Sequence, residues 1–439
     1  MRTVEGRPGA PKPLLSNSSR WTRFLKLFPA ARNGADTFEG PLTKTYDVAI
    51  IGGFGHVGLP LAVSLAFRGK NVYALDVDPV RQASLSAGQM PFKEDGCEPR
   101  LREALRSEHL EFGLDPRCVS RADVVVIVVG TPVDRHLNPE FEPMQAMLES
   151  YLPYFTEGQL IVLRSTVYPG TTDQLRRWLE EREIRVELAF CPERIAEGKA
   201  MEEHETLPQI VSAYSDAGRR RCRELFEPLG CDVVELTPIE AELAKLFSNV
   251  WRYTLFATAN QFFMIANDHG ADFYRIHHAM TYKYPRLAGM PRPGFAAGPC
   301  LFKDAMQLAA FNNNRFYLGH AAMLVNEGLP NYLVDRLKAR MDLSKLTIGV
   351  LGMTFKADSD DRRDSLAFKL RKILRFESRR VLCSDVYLDE PDFVPTARLV
   401  NESDVIILAT PHREYRELKI SQDKVVVDIW NAWGAGCLI

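Results

Sequence analysis

At 439 residues the chain exceeds what one core ordinarily serves, so two or three domains are expected. A hydrophobic content of 46% and a charged content of 26% exclude disorder over most of it, and 55 Lys and Arg against 57 Asp and Glu, net charge -2, give no electrostatic basis for binding nucleic acid. The eight cysteines make no C-x-x-C pair or metal-ligand spacing, the N-terminus lacks a signal-peptide core, and no window nears the roughly 18 apolar residues of a bilayer span, so a cytoplasmic protein with reduced thiols, a small-molecule ligand and no metal or transmembrane segment is expected.

Residues 1–44 read as an extension, with Pro8, Pro11 and Pro13 and a Ser-rich run giving a flexible tail, and Trp21 to Phe28 one short amphipathic helix. From Tyr46 short apolar runs alternate with helical stretches: Val48 to Ile51, Val72 to Leu75, Val124 to Val129, Leu160 to Leu163 and Val186 to Phe190. That alternation predicts an α/β domain over residues 45–235, a doubly wound parallel sheet of the Rossmann type.

Gly53-Phe54-Gly55-His56-Val57-Gly58 follows the first run and precedes a helical stretch. In that context the first glycine permits a tight turn, the second lets backbone approach a pyrophosphate, and the third allows close helix packing. Asp76, at the end of the next run, suits the two ribose hydroxyls and would repel a 2′-phosphate, which predicts NAD over NADP. His56 reads as a structural residue or pyrophosphate neighbour. Thr131 and Thr166, in polar turns at later strand ends, face the same crevice as candidates for nicotinamide, ribose or water; as helix caps they would serve equally well.

Thr237-Pro238-Ile239-Glu240 combines a capping Thr, a Pro at the first helical position and a Glu placed for a capping box. The helix it starts meets no Gly or Pro until Gly270, a C-terminal cap, and at roughly 30 residues would be about 45 to 50 Å long. Residues 236–340 therefore form a central helical region, suited to joining domains and building a homodimer. Runs at Thr347 to Leu351, Val381 to Ser384, Val405 to Ala409 and Val425 to Ile429 predict a second, smaller Rossmann-like domain over residues 341–439. Two such domains joined by a long helix leave a ligand cleft between them.

Reactive residue types stand in three further segments: Cys191 to Gly198, Glu242, Lys245 and Asn249 on one helical face, and Gly294 to Asp304 with Cys300. Each is ambiguous alone, because a helix Lys is usually solvated and an isolated Cys usually packs.

Taken in order, Gly53 to Gly58, Ser165 to Thr171, Pro192 to Gly198, Glu242 to Asn249, Gly294 to Asp304 and Phe355 to Arg363 resemble the motifs of the UDP-glucose/GDP-mannose dehydrogenase family. The Cys-Pro-Glu-Arg wording at Cys191 is similar to the N-acetylhexosamine branch. The chain departs from the family's habit at Ala297, at Pro299 before the cysteine, and at Trp430, where an Arg is frequent and where a nucleotide or sugar contact is therefore in doubt.

The resemblance implies NAD-dependent four-electron oxidation of a nucleotide sugar at C6 to a carboxylate, through a thiohemiacetal and a thioester on Cys300. Lys245 would stabilise the oxyanion, Asn249 and Thr166 position oxygen or water, Asp304 assist proton transfer and Glu193 activate the hydrolytic water. Glu193, Arg194, Glu197, Lys245, Asn249, Gly298, Lys356 and Arg363 are the implied substrate contacts, with Arg286 contributed by a partner subunit. Two alternatives stay open. A 6-phosphogluconate-type enzyme would stop after one hydride, which counting NADH per sugar would reveal, and a non-catalytic nucleotide sensor would make no NADH.

Overall fold

The computed structural model describes residues 45–130, 142–295, 298, 300–437 and 439. The Trp21 to Phe28 helix, Thr131, Ala297 and Pro299 lie outside the described residues. The first domain holds β1 (Tyr46–Ile51), β2 (Val72–Leu75), β3 (Leu110–Gly113), β4 (Ala122–Ile127), β5 (Leu160–Leu163) and β6 (Glu187–Phe190). They form one parallel sheet in the order β3-β2-β1-β4-β5-β6, which places the switch of winding direction at the end of β1. Alternation sends Val48 and Ile50 into one apolar layer and Ala49 and Ile51 into the other, so helices cover both faces. The sequence pattern missed β3, whose four residues include Glu111. A small parallel pair, β7 (Gln209–Ser212) and β8 (Val233–Leu236), closes this domain.

Helix α1 (Gly58–Phe67) follows β1 directly. Helix α2 (Pro238–Asp268) is the long central helix, and its 31 residues rise about 46 Å. The expected capping box forms, with Glu240 Oε2 accepting from Thr237 N at 2.8 Å, and Gly270 beyond the other end takes φ +67°. Helices α3 (Leu301–Phe311) and α4 (Tyr317–Lys338) pack against it.

β9 (Thr347–Leu351), β10 (Arg380–Ser384), β11 (Val405–Leu408) and β12 (Val425–Val427) make the second parallel sheet, ordered β10-β9-β11-β12. One apolar cluster runs from Phe263 and Ala266 of α2 through Leu329 and Leu333 of α4 to Ile348 and Val350 of β9. The far half of the central helix therefore shares a core with the second sheet, while Ala241 near its start packs into the first domain. The fold is α/β, two Rossmann-like domains on one helical spine, and among the described residues no helix is long and apolar enough to cross a membrane.

Candidate active site

In the turn after β1, Gly52 N and Gly53 N both donate to Leu75 O at 2.9 Å. A Cβ on Gly53 would fall 2.8 Å from that of Ala74 and one on Gly58 2.4 Å from Gly52 O, whereas on Gly55 the nearest atom would be 3.7 Å away. Gly53 and Gly58 thus permit the tight turn and the helix packing, and Gly55 leaves backbone open beside the N-terminus of α1, where pyrophosphate binds favourably. Asp76 steadies the turn by accepting from Phe54 N at 3.2 Å and Val77 N at 2.8 Å, and stays half-buried beside it. These residues fit a dinucleotide. Phe54 was expected as a cofactor contact, but its ring is wholly buried edge-on to Phe112, so only its backbone can serve. Val57 stands just before α1 as its N-cap. His56 stacks on Phe92 with centroids 4.0 Å apart, and burial, with the Arg363 charge, lowers its pKa to about 4. A neutral ring there is no acid at ordinary pH.

Cys300 occupies the N-cap of α3, with its own carbonyl accepting from Asp304 N at 2.9 Å. The residue is exposed, yet desolvation by neighbouring atoms and the Asp304 carboxylate raise its pKa, while Lys303 and Lys245 oppose them. Asp304 is fully buried and accepts from Asn249 Nδ2 at 2.6 Å; its other oxygen has no hydrogen-bond partner among the described residues. Lys245, one turn before Asn249 on α2, has its pKa lowered by burial, against the charges of Asp304 and Cys300. Thiol, amine, amide and carboxylate therefore meet at the junction of α2 and α3. The third residue of the predicted helix face, Glu242, faces elsewhere: its carboxylate takes Gly170 N at 2.6 Å and Thr172 N at 2.8 Å and so fixes the turn that carries Thr166, itself half-buried after β5.

From the other side, Lys356 Nζ donates to Glu197 O at 2.8 Å and Arg363 Nη2 to Glu197 Oε1 at 2.9 Å, so the second domain grips the segment after β6. Glu197 Oε2 is buried without a hydrogen-bond partner among the described residues. Burial, with the neighbouring Asp361 charge, raises the Glu197 pKa to about 7 against the pull of Arg363. Arg363 is itself held by Asp361, which accepts from its Nε at 2.7 Å.

Residues 46–230 match the UDP-glucose/GDP-mannose dehydrogenase family's NAD binding domain, 239–327 its central domain and 349–435 its UDP binding domain. The chain belongs to the UDP-glucose/GDP-mannose dehydrogenase family. It is an NAD-dependent nucleotide-sugar dehydrogenase. The UDP-N-acetyl-D-mannosamine dehydrogenase of Methanocaldococcus jannaschii is 28% identical over 375 residues, 83% of this chain and 85% of the relative. The NDP-N-acetyl-D-galactosaminuronic acid dehydrogenase of Ralstonia nicotianae is 27% identical over 412 residues, covering 87% and 95%. Among solved structures, a UDP-glucose dehydrogenase from the archaeon Pyrobaculum islandicum superposes with a TM-score of 0.82 at 27% identity, covering 90% of this chain and 97% of the other.

Two expected roles in this dehydrogenase need revision. Glu193 was the expected activator of water, but it is buried and saturated: Oε2 takes Arg164 Nη2 at 2.6 Å and faces His204 Nε2 at 3.1 Å, and Oε1 takes Arg194 N at 2.8 Å and Ile195 N at 3.1 Å. The Arg164 and His204 charges and these amide bonds overcome burial and hold its pKa well below the carboxylate range, so it makes a poor base. Arg194, expected on the sugar, donates instead to Pro208 O before β7. Arg286 lies on the exposed turn Pro285–Leu287, where among the described residues its guanidinium meets Tyr284. Gly298 is accounted for by its backbone, φ +108°, and by the Phe355 ring, which a Cβ would strike at 2.6 Å. Sequence reasoning missed Arg164 and His204. The one hint was a charged residue ending the apolar run Leu160 to Leu163.

Proposed function

We propose that this dehydrogenase oxidises the C6 alcohol of a UDP-N-acetylhexosamine to the carboxylate, in the cytoplasm, with Cys300 carrying the sugar between two oxidations. The observation that carries the reading is the exposed Cys300 at the start of α3 near Lys245 and the buried Asn249–Asp304 pair. The names of the relatives favour the N-acetylhexosamine class over glucose.

A bound NAD supplies a hydride acceptor, used twice per sugar. Gly55 and Asp76 would hold its pyrophosphate and ribose, with Thr166 near by at the end of β5. Lys356 and Arg363 bind the nucleotide, since fixed cations suit a diphosphate. At the aldehyde stage the Cys300 sulfur bonds to C6 and the thiol proton ends on the former carbonyl oxygen, where Lys245 steadies the developing charge. Asn249, locked by Asp304, orients that oxygen. After the second oxidation, water attacks the thioester carbon while Glu197 takes its proton; the C–S bond breaks, leaving carboxylate and thiol. A pKa of about 7 suits Glu197 to this work near neutral pH.

The same reading makes the protein a homodimer. Helix α2 leaves Phe247, Trp251, Phe262 and Ile265 exposed at helical spacing, and Trp251 is 65% exposed, a surface that a second copy of the helix would cover. Purified protein given UDP-N-acetylmannosamine and excess NAD should form two NADH per sugar consumed. One NADH per sugar would return the two-electron alternative, and none with any nucleotide sugar would end the catalytic reading.

A further inference from the structure

The loop that ends at Cys300 carries two glycines, Gly294 at its start and Gly298 two residues before the cysteine. Gly294 N donates to Asn260 Oδ1 at 2.8 Å and Gly294 O accepts from Asn260 Nδ2 at 3.0 Å, so one buried amide of α2 grips both backbone groups. Asn260 is held in turn by Asn326 Oδ1 at 2.9 Å, and Asn326 donates to Tyr253 O at 3.0 Å. On its other side Gly294 meets the second sheet domain: a Cβ there would fall 2.2 Å from two carbons of the Trp430 ring. That ring is fixed by its own Nε1, which donates to Ala409 O at 3.1 Å beyond β11. Gly298 repeats the arrangement with Phe355, whose N donates to Asp361 O at 3.0 Å. Trp430 is also one of the three residues that depart from the family's habit.

We propose that Trp430 and Phe355 are positioning residues for Cys300, clamping the two glycines of its loop so that the nucleotide-binding domain sets where the thiol stands. The indole occupies the place of a frequent cation and does a different job, since it offers the loop a rigid face instead of a charge. Phe355 adjoins Lys356, the cation that holds the Glu197 carbonyl, so one short segment contacts both the cysteine loop and the segment of the proposed base. Nucleotide binding at Lys356 is thereby linked to the position of the reacting sulfur. The kinetic consequence rests on the proposed role of Cys300; the clamp itself does not.

The test combines Trp430→Ala, Phe355→Leu and Trp430→Phe. Without substrate, the rate at which iodoacetamide alkylates Cys300 is read by peptide mass spectrometry. With UDP-N-acetylmannosamine and NAD, kcat and KM are read from NADH. Trp430→Ala should change the alkylation rate several-fold and lower kcat roughly tenfold to a hundredfold, because small misplacements of reacting groups are costly, with the KM for NAD within about twofold of wild type. Phe355→Leu should shift the alkylation rate in the same direction, whereas Trp430→Phe, which keeps an aromatic face against Gly294, should stay closer to wild type than Trp430→Ala. Unchanged alkylation in Trp430→Ala, or a loss in Trp430→Phe as large as that in Trp430→Ala, would overturn the clamp. The alkylation arm stands even if no nucleotide sugar is turned over.

Discussion

Glu193 and Glu197 lie four residues apart on the same loop, and their surroundings drive them in opposite directions. Glu193 points into the first domain, where Arg164 neutralises it and His204 and backbone amides fill its remaining lone pairs. Glu197 points to the second domain, where it is desolvated, stands near Asp361 and keeps one oxygen free of hydrogen bonds from described residues. Two carboxylates set this far apart in acidity are suited to different tasks. One anchors the segment and the other exchanges a proton.

The contrast matters to catalysis only if an acyl group forms on sulfur, so the largest effect belongs to Cys300→Ala. Turnover should fall by about 10³-fold or more, as expected for loss of a covalent nucleophile, while nucleotide-sugar binding by calorimetry is retained. Near wild-type formation of sugar acid would leave the cysteine a packing residue. Next comes Glu197→Gln, for which steady-state turnover should drop on the order of 10²-fold, the usual scale of general-base loss. A first burst of NADH should survive. Glu193→Gln should act on stability instead, costing about 3–5 kcal/mol because Arg164 is left buried and unpaired. A lower midpoint in thermal unfolding, with smaller loss of activity in the folded fraction, is the expected pattern.

The pH dependence sharpens the comparison. Glu197 accepts a proton only when ionised, so with its pKa raised to about 7, hydrolysis-limited turnover should climb as pH rises through 7 and then level. In the stability profile the two groups oppose each other. Glu193, with its pKa depressed in the fold, stabilises above its unfolded value of about 4.3 and loses that contribution as pH falls. Glu197, raised in the fold, favours the folded state below about 4.3 and loses that contribution as pH rises through about 7. The smallest change expected is in Asp76→Ala, where the preference for NAD over NADP should narrow roughly tenfold as the carboxylate that opposes a 2′-phosphate is removed.

Features governed by neighbours in sequence were legible beforehand. The glycine turn between β1 and α1, the capping box at Thr237 and the buried runs of both sheets follow from local chemistry, and the structure bears them out. Four-residue β3 was not, because Glu111 interrupts its apolar pattern and its pairing with β2 supplies what the run lacks. The roles of Glu193 and Glu197 could not be separated either. Arg164 is 29 residues from Glu193 and Arg363 is 166 residues from Glu197, so the fold brings each carboxylate the partner that sets its acidity. Trp430 looked like a lost cation for the same reason, since Gly294 becomes its neighbour only when the second domain folds onto α2.

The most direct measurement is intact-protein mass spectrometry of Glu197→Gln and Glu193→Gln, each quenched after incubation with UDP-N-acetylmannosamine and NAD. The account predicts a stable added mass, mapping to Cys300, in Glu197→Gln and no such accumulation in folded Glu193→Gln. Accumulation in Glu193→Gln alone would contradict it and return the activation of water to the buried carboxylate.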